Sequence, residues 1–394
     1  MQRHTNKSNK KLFVLFASSL LAVNLLTACS SKKTSAINNR DDGVAIAETL
    51  SKPTNQSNNP ARPSSTVASQ KSVSVGDLAK PAVVQLASAC AAQIPFSYKG
   101  STKIYEVSAG GTGSGFFVSS DGYIVTNAHV IQASINPQKC QQALYEQYIQ
   151  EVAQDVGVNP DELSSNPQAV QEIRNNFQNA DIRPINNVLL PNGNYLPFDI
   201  QTSGAPVGQG KDVAVVKVQI KNAPVLKLAD SEQVKTQDKI IAIGYPSLQL
   251  GALNSKSETE ATISSGEISS TEKQLSDGSP VLQFNAAVTH GNSGGPVLNE
   301  KGEVVGITTF GSKNISGIGF AVTSNTIMEF VRQLAISNEQ GAVDKLYNEG
   351  LQLYNQGQYA QAIEKLETVK RLFPQHSEVD KLIQESQEKI VAAK

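Results

Sequence analysis

Charge of one sign is the first thing this chain lacks. Its 394 residues carry 34 basic and 35 acidic side chains, for a formal net charge of −1. No basic run lies outside the N-terminus. Clustered Lys and Arg are what a phosphate backbone selects, so nothing in the composition points to nucleic acid. Cysteine is scarce as well. Cys29, Cys90 and Cys140 are the only three, and no His/Cys group has the spacing of zinc ligands, so no metal or cofactor is expected. Histidine is limited to four residues. His4 falls in the basic N-terminal segment and His376 in a C-terminal part with helical patterning, so His129 and His290 are the only candidate bases in the β-patterned middle.

What is present is three short segments in fixed order: GTGSGFFVSSDGYIVTNAHV, KDVAVVKV and THGNSGGPV. Gly291-Asn292-Ser293-Gly294-Gly295-Pro296 reads as a tight turn with a serine at its centre. A serine hydroxyl is a weak nucleophile until a base takes its proton. The oxyanion it creates needs backbone N–H groups aimed at it, here those of Gly291 and Ser293. Phe116–Val118, the Ser119–Gly122 turn and Tyr123–Thr126 give a β-hairpin pattern that ends at His129. His290 stands three residues before Ser293 on the same turn, too close to reach back to the hydroxyl, so His129 is the expected base. Asp212 opens the apolar run Val213–Val218. A carboxylate entering such a strand is costly unless paired, and the free ring nitrogen of His129 is its expected partner. His, Asp, Ser is the order in which the chymotrypsin-type double barrel carries its triad.

The stretch from about Lys80 to Leu334 resembles the protease domain of the HtrA/Deg group of trypsin-like serine proteases. The resemblance rests on the TNAHV around His129, Asp212-Val213-Ala214-Val215, Leu228-Ala229-Asp230-Ser231, Ile241–Pro246, Gly291–Pro296, Val304–Ile307 and Gly317–Val322. It implies two six-stranded β-barrels with His129, Asp212 and Ser293 in the cleft between them. Asn285 stands where the family often has Asp, and Thr289-His290 replaces the usual pair before Gly-Asn-Ser. No PDZ-like segment is recognisable after the barrels, and a helical insertion separates His129 from Asp212. The substrate pocket is expected from Ala287, His290, Gly317 and Gly319. The run Phe284–His290 contains no acid, so small or medium apolar side chains should enter rather than Lys or Arg.

Residues 1–28 read as a secretory signal, with Arg3, Lys7, Lys10 and Lys11 before the apolar run Leu12–Leu26. Leu26-Thr27-Ala28-Cys29 resembles the lipobox of bacterial lipoproteins, which would make Cys29 the lipidated first residue. Residues 29–72 are polar and Ser/Asn/Thr-rich. They cannot bury enough surface to fold and should act as a leash of roughly 35 Å r.m.s. reach. The resemblance implies an exported protein anchored to a bacterial membrane. The periplasmic face of the outer membrane is favoured because Ser30 is not the aspartate of the inner-membrane retention signal; otherwise the cell surface is expected. Cys90 and Cys140 are then an even pair outside the cytoplasm, where thiols usually bond. Closing that loop would contribute roughly 4 kcal/mol.

The protease domain is expected over 73–335, with a helical insertion at about 138–180. Leu144, Tyr148, Ile149, Val152 and Val156 form one helical stripe, and Asn166-Pro167 opens a second helix. That insertion reads as an embellishment packed on one barrel. In 341–394, Gly350-Leu351, Leu353-Tyr354, Gly357, Tyr359, Ala362-Ile363, Leu366 and Pro374 resemble one tetratricopeptide repeat followed by a capping helix. A single repeat builds no groove of its own, so the unit should dock on the barrel or on another chain, and it could serve a protein partner or self-association. The leading function is a membrane-tethered serine endopeptidase acting on proteins or peptides in extracytoplasmic quality control or processing. The rival is a lipoprotein adaptor or chaperone-like binder with a little-used protease fold.

Overall fold

But for Lys217 at its far end, the run Ala214–Val218 is apolar on both faces, and the reason lies in what each face meets. In the computed structural model, which describes residues 73–190, 192–247, 260–311 and 317–393, Ala214, Val216 and Val218 point into one core with Val84, Leu86, Phe117 and Ile124. Val213 and Val215 point the other way, into a second core with Phe116, Val125, Ile243, Tyr245, Leu298, Ile307 and Val322. Alternation along a strand sends successive residues to opposite faces. A strand wedged between two cores therefore loses its polar face.

Those two cores are the inside of one barrel and the seam between two. The first barrel closes in the order β1-β2-β3-β6-β5-β4, with β1 at Val83–Tyr98, β2 at Ser101–Phe117, β3 at Tyr123–Thr126, β4 at Arg183–Leu189, β5 at Tyr195–Ser203 and β6 at Ala214–Val218. The second closes as β10-β11-β12-β9-β8-β7, from β7 at Lys239–Gly244, β8 at Thr262–Gln274, β9 at Pro280–Phe284, β10 at Pro296–Leu298, β11 at Val304–Gly311 and β12 at Gly319–Thr323. Its own core holds Ile240, Ala242, Ile268, Leu282, Phe284 and Val305. This is the double six-stranded barrel of the chymotrypsin fold. Register then places the functional segments. Thr126 pairs with Ala214, so the end of β3 lies beside the start of β6. Pro296 pairs with Ile307, so the turn before β10 lies beside β11.

β1 and β2 run on past the barrel as a long hairpin paired from Val83↔Phe116 to Tyr98↔Ser101. Alongside the short helices α1 (Val75–Ala79) and α2 (Gln132–Ile135), three helices form the insertion: α3 at Pro137–Val156, α4 at Pro160–Ser165 and α5 at Pro167–Gln178. Each of the three opens with an asparagine side chain capping the first turn and a proline just inside it, the arrangement that suits a helix N-terminus. Leu144, Tyr148, Val152, Leu163 and Ile173 pack on Ile94, Phe96, Tyr105 and Val107 of the hairpin. A disulfide joins Cys90 of β1 to Cys140 of α3, with Cα atoms 6.1 Å apart.

Four helices end the chain: α6 at Ser324–Gln333, α7 at Ala342–Asn355, α8 at Tyr359–Leu372 and α9 at Val379–Ala392. α6 packs into the seam through Ile327, Phe330 and Val331. α7 to α9 share an apolar layer that is continuous with the first barrel through Val343, Tyr347 and Leu351. The junction is also hydrogen-bonded. Asp344 accepts from the Val225 N–H at 2.8 Å. The Tyr347 hydroxyl donates to the Asp77 carbonyl at 3.2 Å, and Asn222 Nδ2 donates to the Leu372 carbonyl at 3.2 Å. Asn338 ties the connecting segment to Val118, Leu226 and Leu228.

Candidate active site

Asp212 is wholly buried, so its charge must be met inside the protein. Three donors meet it. The His129 backbone N–H reaches Oδ1 at 3.0 Å; the His129 ring Nδ1 lies 2.8 Å from Oδ2; and the Thr309 hydroxyl donates to Oδ2 at 2.6 Å. A carboxylate can only accept, so Nδ1 carries the ring proton and the lone pair sits on Nε2, the atom that a general base needs free. The backbone of Asp212 is fixed as well, because Asn127 Nδ2 donates to its carbonyl at 2.8 Å. The His129 side chain stays 31% exposed, open to the cleft.

Ser293 sits on a turn whose peptide planes are tied one by one. The His290 carbonyl accepts from Ser247 N at 2.7 Å. The Gly291 carbonyl accepts from Ser114 Oγ at 2.7 Å, the Asn292 carbonyl from Gly295 N at 2.9 Å and the Ser293 carbonyl from Ser114 N at 2.7 Å. Asn292 N donates to Thr289 and Gly294 N to Thr308. Among the described residues, the N–H groups of Gly291 and Ser293 have no such acceptor. Two unengaged donors beside a serine hydroxyl are what an oxyanion hole requires. Glycine is required at both bends. Gly291 has φ +93 and Gly294 φ +85; a Cβ would strike the Tyr245 carbonyl at the first and the Ser114 carbonyl at the second.

The Ser293 hydroxyl donates to the Thr309 carbonyl at 3.0 Å, so Thr309 touches both ends of the triad. Its hydroxyl holds Asp212 and its carbonyl holds the nucleophile. Among the described residues no hydrogen bond joins Ser293 Oγ to His129, so the structure brings His129 and Asp212 together but leaves the serine hydroxyl on Thr309; catalytic hydrogen bonds of this kind are often long or unmade until substrate arrives. Thr309 and Ser114 escaped the sequence reading. The signal for Thr309 was a pair of hydroxyls, Thr308 and Thr309, both buried in a strand of apolar residues. A buried hydroxyl needs a partner, and this one finds Asp212.

The expected pocket residues are placed unevenly. Gly319 pairs with Phe284 of β9 and with Gly311 of β11, and its missing Cβ leaves room for the Phe284 ring and Val288. Gly317 begins the approach to β12 with φ +78. Ala287 and the His290 side chain are exposed. Asn285 is engaged elsewhere, its Oδ1 accepting from Glu267 N of β8 at 2.7 Å. Phe310 stacks on Phe320 with centroids 4.7 Å apart beside Gly311 and Gly319. Cys29 lies outside the described residues.

Fold and site together have the architecture of the chymotrypsin-type double barrel, with a buried His–Asp pair and a serine-bearing glycine turn. The family model described as a trypsin-like peptidase domain matches residues 113–307. HhoB of Synechocystis sp. is 31% identical over 230 residues, 57% of this chain and 40% of that protein. The mitochondrial serine protease HTRA2 of Drosophila willistoni is 28% identical over 234 residues, 59% of this chain and 41% of its own length. Among solved structures, the HtrA-type protease AlgW with a decapeptide superposes with a TM-score of 0.43 at 24% identity over 66% of each chain. Over residues 113–307 the chain is similar to trypsin-like peptidase domains, and the relatives it resembles include serine proteases. It spans about two fifths of the length of these relatives.

Proposed function

We propose that this protein is a lipid-anchored serine endopeptidase that cleaves proteins or peptides outside the cytoplasm. The observation that carries the reading is the buried Asp212–His129 pair facing a turn that leaves two N–H groups unengaged beside Ser293. Ser293 attacks the scissile carbonyl while His129 Nε2 takes its proton. The oxyanion rests on the Gly291 and Ser293 N–H groups, and His129 returns the proton to the departing amine. Water repeats the sequence on the acyl-enzyme. Ser293→Ala is expected to abolish cleavage of casein and labelling by a fluorophosphonate, leaving at most a residual rate of ~10³–10⁴ over water. Casein cleavage at the parent rate would overturn the reading.

The specificity pocket lies between Val288–His290, Phe310–Gly311 and Gly317–Gly319 and takes apolar side chains. The loop from Asn285 to His290 offers no acid, and Asn285 is already engaged with β8. A substrate Lys or Arg would be buried without a partner, which costs several kcal/mol. A Val or Leu side chain gains roughly 1.5–3 kcal/mol by burial. Sequencing the products of an unfolded protein substrate tests this; a majority of cuts after Lys or Arg would refute the pocket while leaving the triad standing.

Anchoring rests on the Leu26–Cys29 pattern and on the polar leash behind it. The helices α7 to α9 serve as a fixed buttress of the first barrel, a reading supported by their continuous apolar layer with it. Any partner of the tetratricopeptide-like unit would have to use its outward face, where Tyr354, Tyr359 and Lys389 lie together.

A further inference from the structure

Ser114 is a wholly buried residue of β2, in the first barrel, yet most of its polar contacts are with the second. Its Oγ accepts from Tyr245 N at 2.8 Å and donates to the Gly291 carbonyl at 2.7 Å. Its N–H donates to the Ser293 carbonyl at 2.7 Å. Its own carbonyl accepts from the Thr126 hydroxyl at 2.7 Å. One residue therefore fixes two peptide planes of the nucleophile turn, and the same hydroxyl holds the end of β7.

The tie at the Gly291 carbonyl matters most. The N–H that completes the oxyanion hole belongs to Gly291, and glycine is free to adopt either hand of φ. Rotation of the His290–Gly291 peptide would turn that N–H out of the hole and put a carbonyl oxygen in its place. One hydrogen bond sits on that plane, from Ser247 N to the His290 carbonyl, and Ser114 Oγ holds the next plane through the Gly291 carbonyl, so that Gly291 is fixed from both sides and a change in its φ cannot be absorbed by its ψ. Ser247 is exposed on a loop, whereas Ser114 is buried in a barrel strand. We propose that Ser114 is a positioning residue for catalysis: its hydroxyl holds the oxyanion turn with the Gly291 N–H facing the substrate, so that the first barrel sets the geometry of a hole carried by the second. The role rests on the proposed hydrolysis through Ser293.

The test uses the full chain in detergent and a chromogenic peptide, with active sites titrated by a fluorophosphonate. Parent, Ser114→Ala and Ser114→Thr are compared for kcat, KM and affinity for a peptide boronate, which makes a tetrahedral adduct. For Ser114→Ala the expected result is a kcat per titrated site lower by about 10²-fold, the scale of losing one oxyanion donor. KM should stay within about threefold, and boronate affinity should fall in step with kcat/KM, as transition-state binding requires. Ser114→Thr keeps the hydroxyl and should recover most of the rate. If the alanine variant does not fold, Ser114→Cys fills the same space with a weaker donor and acceptor and should show the same pattern at smaller size. An unchanged kcat per titrated site, or boronate affinity unmoved while kcat falls, would overturn the role. A parent chain that neither hydrolyses peptide nor takes the label would instead sink the catalytic reading itself, and this role with it.

Discussion

At the residue scale, the division of labour around Asp212 decides what mutations should do. Thr309→Val keeps the shape of the side chain and removes one of three donors to a buried carboxylate. Leaving such a group short of a partner costs about 1–3 kcal/mol, and each ~1.4 kcal/mol at the barrier is tenfold in rate. We expect kcat to fall by about 10-fold to 100-fold with little change in KM, read from steady-state hydrolysis of a peptide substrate. An unaltered kcat would show that the two His129 bonds suffice to hold Asp212. The His129–Asp212 pair and the Ser293 turn were legible in the sequence because each sits in a motif whose neighbours explain it: the TNAHV strand end, the buried strand after Asp212, and the glycines around Ser293. Ser114 and Thr309 were not, because a buried hydroxyl declares its purpose through partners 177 and 97 residues away. No local spacing encodes that.

At the scale of elements, the insertion and the C-terminal helices behave differently from ordinary surface decoration. α3 to α5 form a separate apolar layer with the hairpin tip, fastened by the Cys90–Cys140 disulfide. Replacing both cysteines by alanine is expected to lower stability by up to roughly 4 kcal/mol through the entropy of the opened loop. The readout is the denaturant midpoint, and casein cleavage should persist at 25 °C because the bond touches no triad residue. The apolar pattern of the sequence marks two helices here and the structure has three, since the short α4 carries too few apolar residues to show a stripe. At the other end, His376 is buried against Tyr347 with ring centroids 4.3 Å apart, and desolvation lowers its pKa to about 3. The unfolded chain binds that proton below about 6.5, so stability is full above that pH and is lost as pH falls toward 3. Asp344 works in the opposite sense. Burial raises it to about 6 despite the N–H bonds from Val225 and Gly341. The folded state therefore takes up its proton first, and stability from this group declines as pH rises from about 4 to 6. The two effects offset each other between these values. His376→Phe should leave only the Asp344 effect, so the thermal midpoint should rise rather than fall on acidification from pH 6 to 4. A pH dependence indistinguishable from the parent's would show that His376 does not govern acid stability.

For the whole molecule, the expectation concerns where it works. Cys29→Ser removes the proposed lipid acceptor, so if the anchor is lipid the protein should move from the membrane fraction to the soluble one on cell fractionation. Its rate on casein should be unchanged. Retention at the membrane would point to an anchor other than lipid. The double barrel could be foreseen from the order and context of three segments. The docking of α7 to α9 could be narrowed only to the barrel or another chain, because the residues that receive them, such as Val225 and Asn222, form no motif and sit on a loop after β6.

The clasp between the two ends of the folded chain has a consequence in time. α1 and the Lys80 turn, the first of the described residues to be synthesised, bond to the C-terminal helices: Tyr347 to the Asp77 carbonyl and Lys80 to Glu378 at 3.3 Å. A ribosome releases α9 only after every triad residue has been made. The first barrel, which carries His129 and Asp212, thus waits for the final helices before its outer face is covered. Unfinished or prematurely terminated chains would hold all the parts of a peptidase on a barrel still lacking its buttress.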